Sequence, residues 1–249
     1  MGTRPTLWTE ELLDDPHVAA DKSRRVRDMF NAIAGRYSLV NSIFSGGRDS
    51  HWRRRAAALA GVTPEDRVLD VACGPGDFAH VFQRCGAAQV VACDFAHEML
   101  TLGIRRNGAD LLFCEANALR LPFADESFTL VSCAFGVRNF DDLAVGLAEM
   151  HRVLCPAGRA VILEFTRPAR RVTRRLYDLY ASYLMPRAAS WISGDRTGAY
   201  RYLPRSVVSF CDAAEFCAKL HGAGFEGVSA TPMTGGIVTV YLATRGTTR

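Results

Sequence analysis

The run Asp70-Val71-Ala72-Cys73-Gly74-Pro75-Gly76-Asp77-Phe78-Ala79 holds the residue types and spacing best suited to chemistry. It closes an apolar stretch, RVLDVAC (67–73), and opens a stretch of helical spacing from Phe78 to Cys85. A strand, a glycine turn and a helix in that order make a ligand cradle. Glycine lets the backbone approach a ligand closely, and ligands of open α/β sheets sit beyond the carboxyl ends of strands. A second acid, Asp94, ends the next apolar stretch, QVVACD (89–94). An acid at that place accepts hydrogen bonds from ribose hydroxyls. The ligand is therefore an adenosine compound, and two cofactors compete. Gly74 to Ala79 fits the G-x-G-x-x-G/A pattern of dinucleotide sites, which seat a pyrophosphate at the helix N-terminus. Asp70 and Asp77 bracket the turn, and two carboxylates repel such a group. S-adenosylmethionine carries an ammonium and a sulfonium and no phosphate, so acids suit it. Asn117-Ala118, after the third strand, then lies near the adenine. Asp70 and Asp77 also suit a purely structural role as acids beside a helix N-terminus.

The elements that must hold these residues alternate. After the first two strands and the helix between them, Ala96 to Arg106 reads as a helix and DLLFCE (110–115) as a third strand. SFTLVSCAF (127–135) is a fourth strand, Asp141 to Leu154 a helix, and RAVILEF (159–165) a fifth strand after a Pro156–Gly158 turn. Such alternation means right-handed crossovers and a doubly wound parallel sheet, and continuous Val/Leu/Ile runs suit strands covered on both faces. A helix follows from Ala213 to Leu220. FEGVSA (225–230) and GIVTVYLAT (236–244) then pair as an antiparallel hairpin. The fold class is α/β: a Rossmann-like, doubly wound, seven-stranded sheet, mostly parallel with an antiparallel C-terminal hairpin, plus N-terminal helices and a helical insertion.

Residues 1–20 read as a flexible terminus and 21–249 as a single domain. Within it, 21–60 is a helical cap, broken near Gly35 and at Ser45-Gly46-Gly47, and 66–165 is the cofactor-binding core. Residues 167–206 are a helical insertion, and 207–249 the C-terminal helix and hairpin. The insertion carries nine Arg against two Asp, and five of the seven Tyr. Two readings of it stay open: a lid or basic helix lying on an anionic membrane surface, and a solvated face over an ordinary core stripe.

With 249 residues, 49% hydrophobic and 22% charged, the chain can bury a large core without staples. The longest uncharged stretch, Val228 to Thr244, is broken by Pro232, Gly235 and Gly236, which is no membrane span. The first residues, MGTRPTLWTEELLDD, lack the apolar core of a signal peptide, so a cytoplasmic location is expected. A net charge of +4 is too mild for a nucleic-acid protein. The eight cysteines form no C-x-x-C pair and read as reduced, buried small hydrophobes. The scattered histidines offer no metal constellation, and none is expected.

The sequence resembles the class I S-adenosylmethionine-dependent methyltransferases, specifically the ubiquinone/menaquinone biosynthesis C-methyltransferases. The resemblance runs from about Val26 to about Val238. Its segments are VRDMFNAIAGRYSLVN, VLDVACGPGD, CDFAHEML, ANALRLPFADESF, FGVRN, EMHRVL with PAG, LEF, and GFEGV with TGGIV. It implies that Asp70, Gly74, Gly76, Asp94 and Phe95 hold the cofactor and that Met99 packs on the adenine or ribose. It places Asn117 and Ala118 at the adenine, with Cys133 and Ala134 lining the methyl-transfer pocket. Three positions depart from the family pattern: Pro75 where Thr is usual, Ala134 where Ser is frequent, and Tyr241 where His often stands.

The implied reaction moves a methyl group from sulfur to a ring carbon of a polyprenylated demethylquinol, either a demethylmenaquinol or a ubiquinol precursor. The implied partners are that small molecule and, through its lipid tail, the inner face of a membrane. Arg138 and Asn139 follow the fourth strand beside the expected methyl site. Arg138 stays protonated, so it stabilises a developing phenolate or orients a water that takes the proton. Its structural alternative is a salt bridge anchoring the loop. Asn139 fixes a quinol oxygen, and Tyr37 and Asn41 cap the site or simply pack helices. Another small aromatic or lipid acceptor is the rival reading.

Overall fold

The apolar runs become the strands of one sheet, whose central strands are covered by helices on both faces. In the computed structural model, residues 7–17, 19, 21–37, 41, 45–108, 111–168, 175 and 198–247 are described. The strands are β1 (Arg67–Val71), β2 (Gln89–Asp94), β3 (Leu112–Glu115), β4 (Phe128–Ala134), β5 (Leu154–Phe165), β6 (Phe225–Met233) and β7 (Val238–Arg245). The helices of eight or more residues are α1 (Lys22–Ile33), α2 (Asp49–Ala60), α3 (Asp77–Arg84), α4 (His97–Asn107), α5 (Leu143–Arg152), α6 (Ala199–Val208) and α7 (Ala213–Gly222). The sheet order is β3-β2-β1-β4-β5-β7-β6. Strands β1 to β5 pair in parallel, and β7 lies between β5 and β6, antiparallel to both. The order reverses between β1 and β4, and the crevice opens at that switch point.

Adjacent residues of each strand serve opposite faces. Leu69, Val131 and Ile162 join Leu147, Phe216 and Tyr241 under α5 and α7. Val68, Leu130 and Val161 join Trp52, Phe78 and Phe82 under α2 and α3. A third cluster gathers Trp8, Val26, Met29, Met99 and Tyr202, and ties the N-terminus, α1, α4 and α6 together.

Strand β5 starts at Leu154, earlier than expected. The Pro156–Gly158 turn lies within it as a register shift against β4, with Ala157 at φ 59°. Asp142 caps α5, its carboxylate accepting from the Val145 N–H at 3.1 Å. Residues 1–20, expected to be loose, are described from Leu7, and there the chain packs. Trp8 is fully buried with its ring 4.2 Å from that of Tyr202, and Glu10 pairs with Arg201 and Arg205. These partners lie some 190 residues away, beyond the reach of local pattern. Much of the 167–206 insertion falls outside the described residues. Its described end is α6, whose Tyr202 is buried in the third cluster.

Among the eight cysteines, Cys73, Cys93 and Cys133 are buried as expected, and burial holds their thiols well above the usual range. Cys85 is exposed and the others partly so. No helix among the described residues is long and apolar enough to cross a membrane.

Candidate functional site

The turn after β1 is fastened to the end of β2. The Gly74 N–H donates to Oδ2 of Asp94 at 2.8 Å, and the Ala96 N–H donates to Oδ1 at 2.8 Å. The Cys73 N–H reaches the Cys93 carbonyl at 3.0 Å. Ala72, Gly74 and Gly76 all take positive φ, at 53°, 56° and 85°. For the two glycines this costs little. For Ala72 it is strain that the surrounding bonds must hold. Gly103 of α4 permits a second close approach: a Cβ there would lie 2.7 Å from the Phe113 ring and 3.0 Å from the Pro75 carbonyl oxygen.

The two strand-end acids have different duties. Asp70 is wholly buried; Oδ1 accepts from the Ser132 hydroxyl at 2.6 Å and Oδ2 from the Ala79 N–H at 3.0 Å. It fastens α3 to β4 and does not line the cavity. Burial pushes its carboxyl up to about 7. Asp94 does line the cavity. Burial pushes it up to about 6, against the pull of the backbone N–H groups it accepts. A carboxylate has about four acceptor sites, so two backbone bonds leave room for ribose hydroxyls.

The cavity encloses about 680 Å³ of empty space at the carboxyl ends of β1, β2 and β4. Of the sequence-expected residues it brings together Tyr37, Gly74, Asp94, Phe95, Met99, Asn117, Ala118, Ala134 and Asn139. Asp70, Gly76, Cys133, Arg138 and Asn41 are not on its lining. Cys133 is fully buried beneath it, and its sulfur would lie 2.7 Å from a Cβ added at Gly136. Gly76 packs on Phe113 and Leu111. The lining also holds residues not expected from the sequence: Ser23, Phe30, Ala72, Ala116, Leu119, Phe135, Gly136, Phe140 and Asp141. Phe135 and Gly136 open the FGVRN motif and were within reach of a closer reading. Ser23 and Phe30 arrive only because α1 docks on α4, where Asn31 Oδ1 accepts from the Glu98 N–H at 3.0 Å.

Arg138 turns away from the cavity into a buried ion pair. Its Nη1 lies 2.6 Å from Glu164 Oε1, and both side chains are almost wholly buried. Nη1 also donates to the Phe135 carbonyl at 2.6 Å, and Asn139 Nδ2 donates to the same oxygen at 3.3 Å. Phe135 itself has φ 60°, so these bonds hold a strained carbonyl. Asn139 Oδ1 accepts from the Tyr202 hydroxyl at 2.9 Å. Burial raises the Glu164 carboxyl while the Arg138 charge opposes that rise. Lys22 donates to the carbonyl of Phe140, and burial lowers its ammonium to about 8. Tyr241, one of the family departures, lies in the core against Phe216 at 4.7 Å and is not on the cavity lining.

Among the described residues no Lys or Arg lines the cavity, whereas Asp94 and Asp141 do. That charge pattern disfavours a pyrophosphate and fits a cationic sulfonium nucleoside. Among the described residues, no group of three His, Cys, Asp or Glu could hold a metal ion. Fold and site together define the S-adenosylmethionine-dependent methyltransferase class.

Comparison with known proteins agrees. Residues 18–245 match the profile of the ubiE/COQ5 methyltransferase family, and the chain belongs to that family. It is 46% identical over 210 residues to the demethylmenaquinone methyltransferase of Deinococcus radiodurans, covering 83% of this chain and 87% of that one. It is 39% identical over 237 residues to the ubiquinone/menaquinone biosynthesis C-methyltransferase of Geobacter sulfurreducens, covering 91% and 90%. Among solved structures, a methyltransferase of Thermotoga maritima described as a possible histamine N-methyltransferase superposes with a TM-score of 0.63 at 16% identity, covering 88% and 99%. The [4+2]-cyclase SpnF gives 0.64 at 17%, covering 90% and 96%. At those identities the likeness shows the fold alone.

Proposed function

We propose that this enzyme transfers the methyl group of S-adenosylmethionine to a ring carbon of a polyprenylated demethylquinol, of the demethylmenaquinol class or a ubiquinol precursor. The observation that carries the reading is the family match over residues 18–245, with relatives named for that reaction on both quinone types. Of the three family departures only Ala134 is on the cavity lining, so the rival reading of another aromatic or lipid acceptor rests on that position.

The cavity residues divide the work. Asp94 accepts from the ribose, Phe95 and Met99 cover the adenine with apolar surface, and Asn117 and Ala118 flank its edge. When bound, the donor supplies an electrophilic methyl on a sulfonium. The chain must then hold a ring carbon in line with it at roughly 3–3.5 Å, which accounts for much of the acceleration. Tyr37 and Asn139 are two of the cavity groups able to hydrogen-bond a quinol oxygen. Burial raises the Tyr37 phenol above its usual range, so it stays a neutral donor. Arg138 is a positioning residue: it fixes the Phe135 carbonyl, and through it the wall that bears Asn139. The new bond from ring carbon to methyl would form as the methyl–sulfur bond breaks, with the electron pair staying on sulfur and the replaced ring hydrogen leaving as a proton to solvent. A dry, closed site would favour the attendant loss of charge from the reacting centre.

The test is to incubate the protein with deuterated-methyl donor and a panel of demethylquinols and to weigh the products. The expected result is one labelled methyl on the ring; no transfer to any quinol would overturn the reading. A lipid-tailed acceptor also gives a use to the Arg-rich 167–206 stretch at an anionic surface. Flotation with anionic vesicles at low salt tests that use, and absence of binding removes it.

A further inference from the structure

Beside the cofactor cavity, past Tyr37, lies a second cleft of about 1290 Å³ of empty space between α2 and α3. Asn41, Arg53 and His80 all belong to its lining, and Asn41 Nδ2, Arg53 Nε and His80 Nδ1 are buried with no hydrogen-bond partner. Arg53 matters most. It is 3% exposed, and among the described residues its one ion pair is a loose contact of Nε with Asp49 at 3.9 Å. A buried guanidinium that lacks a close carboxylate is a costly arrangement unless an anion completes it. The guanidinium carbon stands over the Phe135 ring, 5.4 Å from its centroid, and Phe135 is part of the cavity lining. Tyr37 packs on the glycine turn: a Cβ at Gly74 would meet its hydroxyl at 3.5 Å. Arg53 thus sits at the passage from the cavity to the cleft.

We infer that Arg53 clamps the α-carboxylate of the methyl donor's amino-acid tail, with Asn41 beside it in the same cleft. The inference rests on the methyl-donor reading above. With the nucleoside fixed by Asp94 and Met99, the tail must run over the glycine turn toward Tyr37. There the tail's anion meets the buried cation, and a guanidinium fork matches a carboxylate. The acids Asp94 and Asp141 remain for the positive charges. Asp77 and Asp49 also face the cleft; neither provides an anion in bidentate contact with Arg53.

The test is calorimetry of three nucleosides: adenosylhomocysteine, its decarboxylated analogue, and methylthioadenosine, which lacks the amino-acid tail. Wild-type protein should bind adenosylhomocysteine about tenfold or more tighter than the decarboxylated analogue. Arg53→Met should remove that preference while leaving methylthioadenosine unchanged, and Arg53→Lys should restore part of it. Arg55→Met, on an exposed part of the same helix, should change none of the three. Equal wild-type affinity for the two tailed ligands overturns the inference without any variant, so a misfolded Arg53→Met cannot shelter it. Failure of wild type to bind any of the three overturns the donor reading itself, which is a distinguishable result.

Discussion

The two walls of the cofactor cavity are built by opposite means. The wall at the ends of β1 and β2 is wired at short range: Gly74 to Asp94, Ala96 to Asp94, Cys73 to Cys93. The wall after β4 is wired through side chains: Arg138 to Glu164 and, much farther along the chain, Asn139 to Tyr202 and Phe140 to Lys22. The first uses backbone donors on neighbouring strands and glycines free to take positive φ. The second uses a buried ion pair and side-chain bonds to α1 and α6, beside a strained Phe135 whose carbonyl Arg138 and Asn139 hold. A nucleoside needs the same cradle in many enzymes, whereas the acceptor side must be shaped for one substrate. Under the proposed function, the first wall binds the donor nucleoside and the second positions the acceptor.

The largest way to break the contrast is Arg138→Met, which strands Glu164 without its partner. Chemical denaturation should register a loss of about 3–5 kcal/mol. Next is the pH dependence of the short-range wall. The carboxyls of Asp70 and Asp94 are raised by burial to about 7 and about 6, from an ordinary 3.8. The folded chain therefore keeps protons that the unfolded chain has already released between about 4 and 7. Stability should fall as pH rises through that window and level off above it. Asp70→Asn should flatten the profile, read by denaturation at stepped pH. Asp94→Asn removes the charge proposed to accept from the ribose, and the calorimetric affinity for adenosylhomocysteine should drop roughly tenfold to a hundredfold. Gly103→Ala forces a methyl against Phe113 and the Pro75 carbonyl, and should lower stability by about 1–3 kcal/mol. Smallest is Tyr202→Phe, which deletes one buried bond to Asn139 at a cost of about 1 kcal/mol. Its sharper readout is turnover: kcat should fall while adenosylhomocysteine affinity stays, because Tyr202 supports the acceptor wall only.

How much was legible follows the same division. Strand β2 has the expected bounds, and β1, β3 and β4 lie within a few residues of theirs, because runs such as VVAC and LVSC buried on both faces leave an unbroken apolar signature. Asp94 was legible as a cavity acid, since it ends a strand beside the glycine turn. Asp70 looked equivalent in sequence, yet it is spent on Ala79 and Ser132. Only the pairing of β1 with β4 brings Ser132 to it. Tyr241 drew notice as a departure from a familiar pattern, and the packing against Phe216 places it in the core. Trp8 and Glu10 gave no local signal, because their partners on α6 lie at the far end of the chain.

By itself, the order of apolar runs, glycines and acids determined a doubly wound sheet with an adenosine cradle, since strand periodicity and turn chemistry act between near neighbours. Tertiary structure alone decided which acids face the ligand, that Arg138 is held by Glu164, and that Arg53 lies buried beside Phe135. Those outcomes depend on which desolvated groups meet across stretches of chain longer than a helix or a turn, and on burial that no local pattern records.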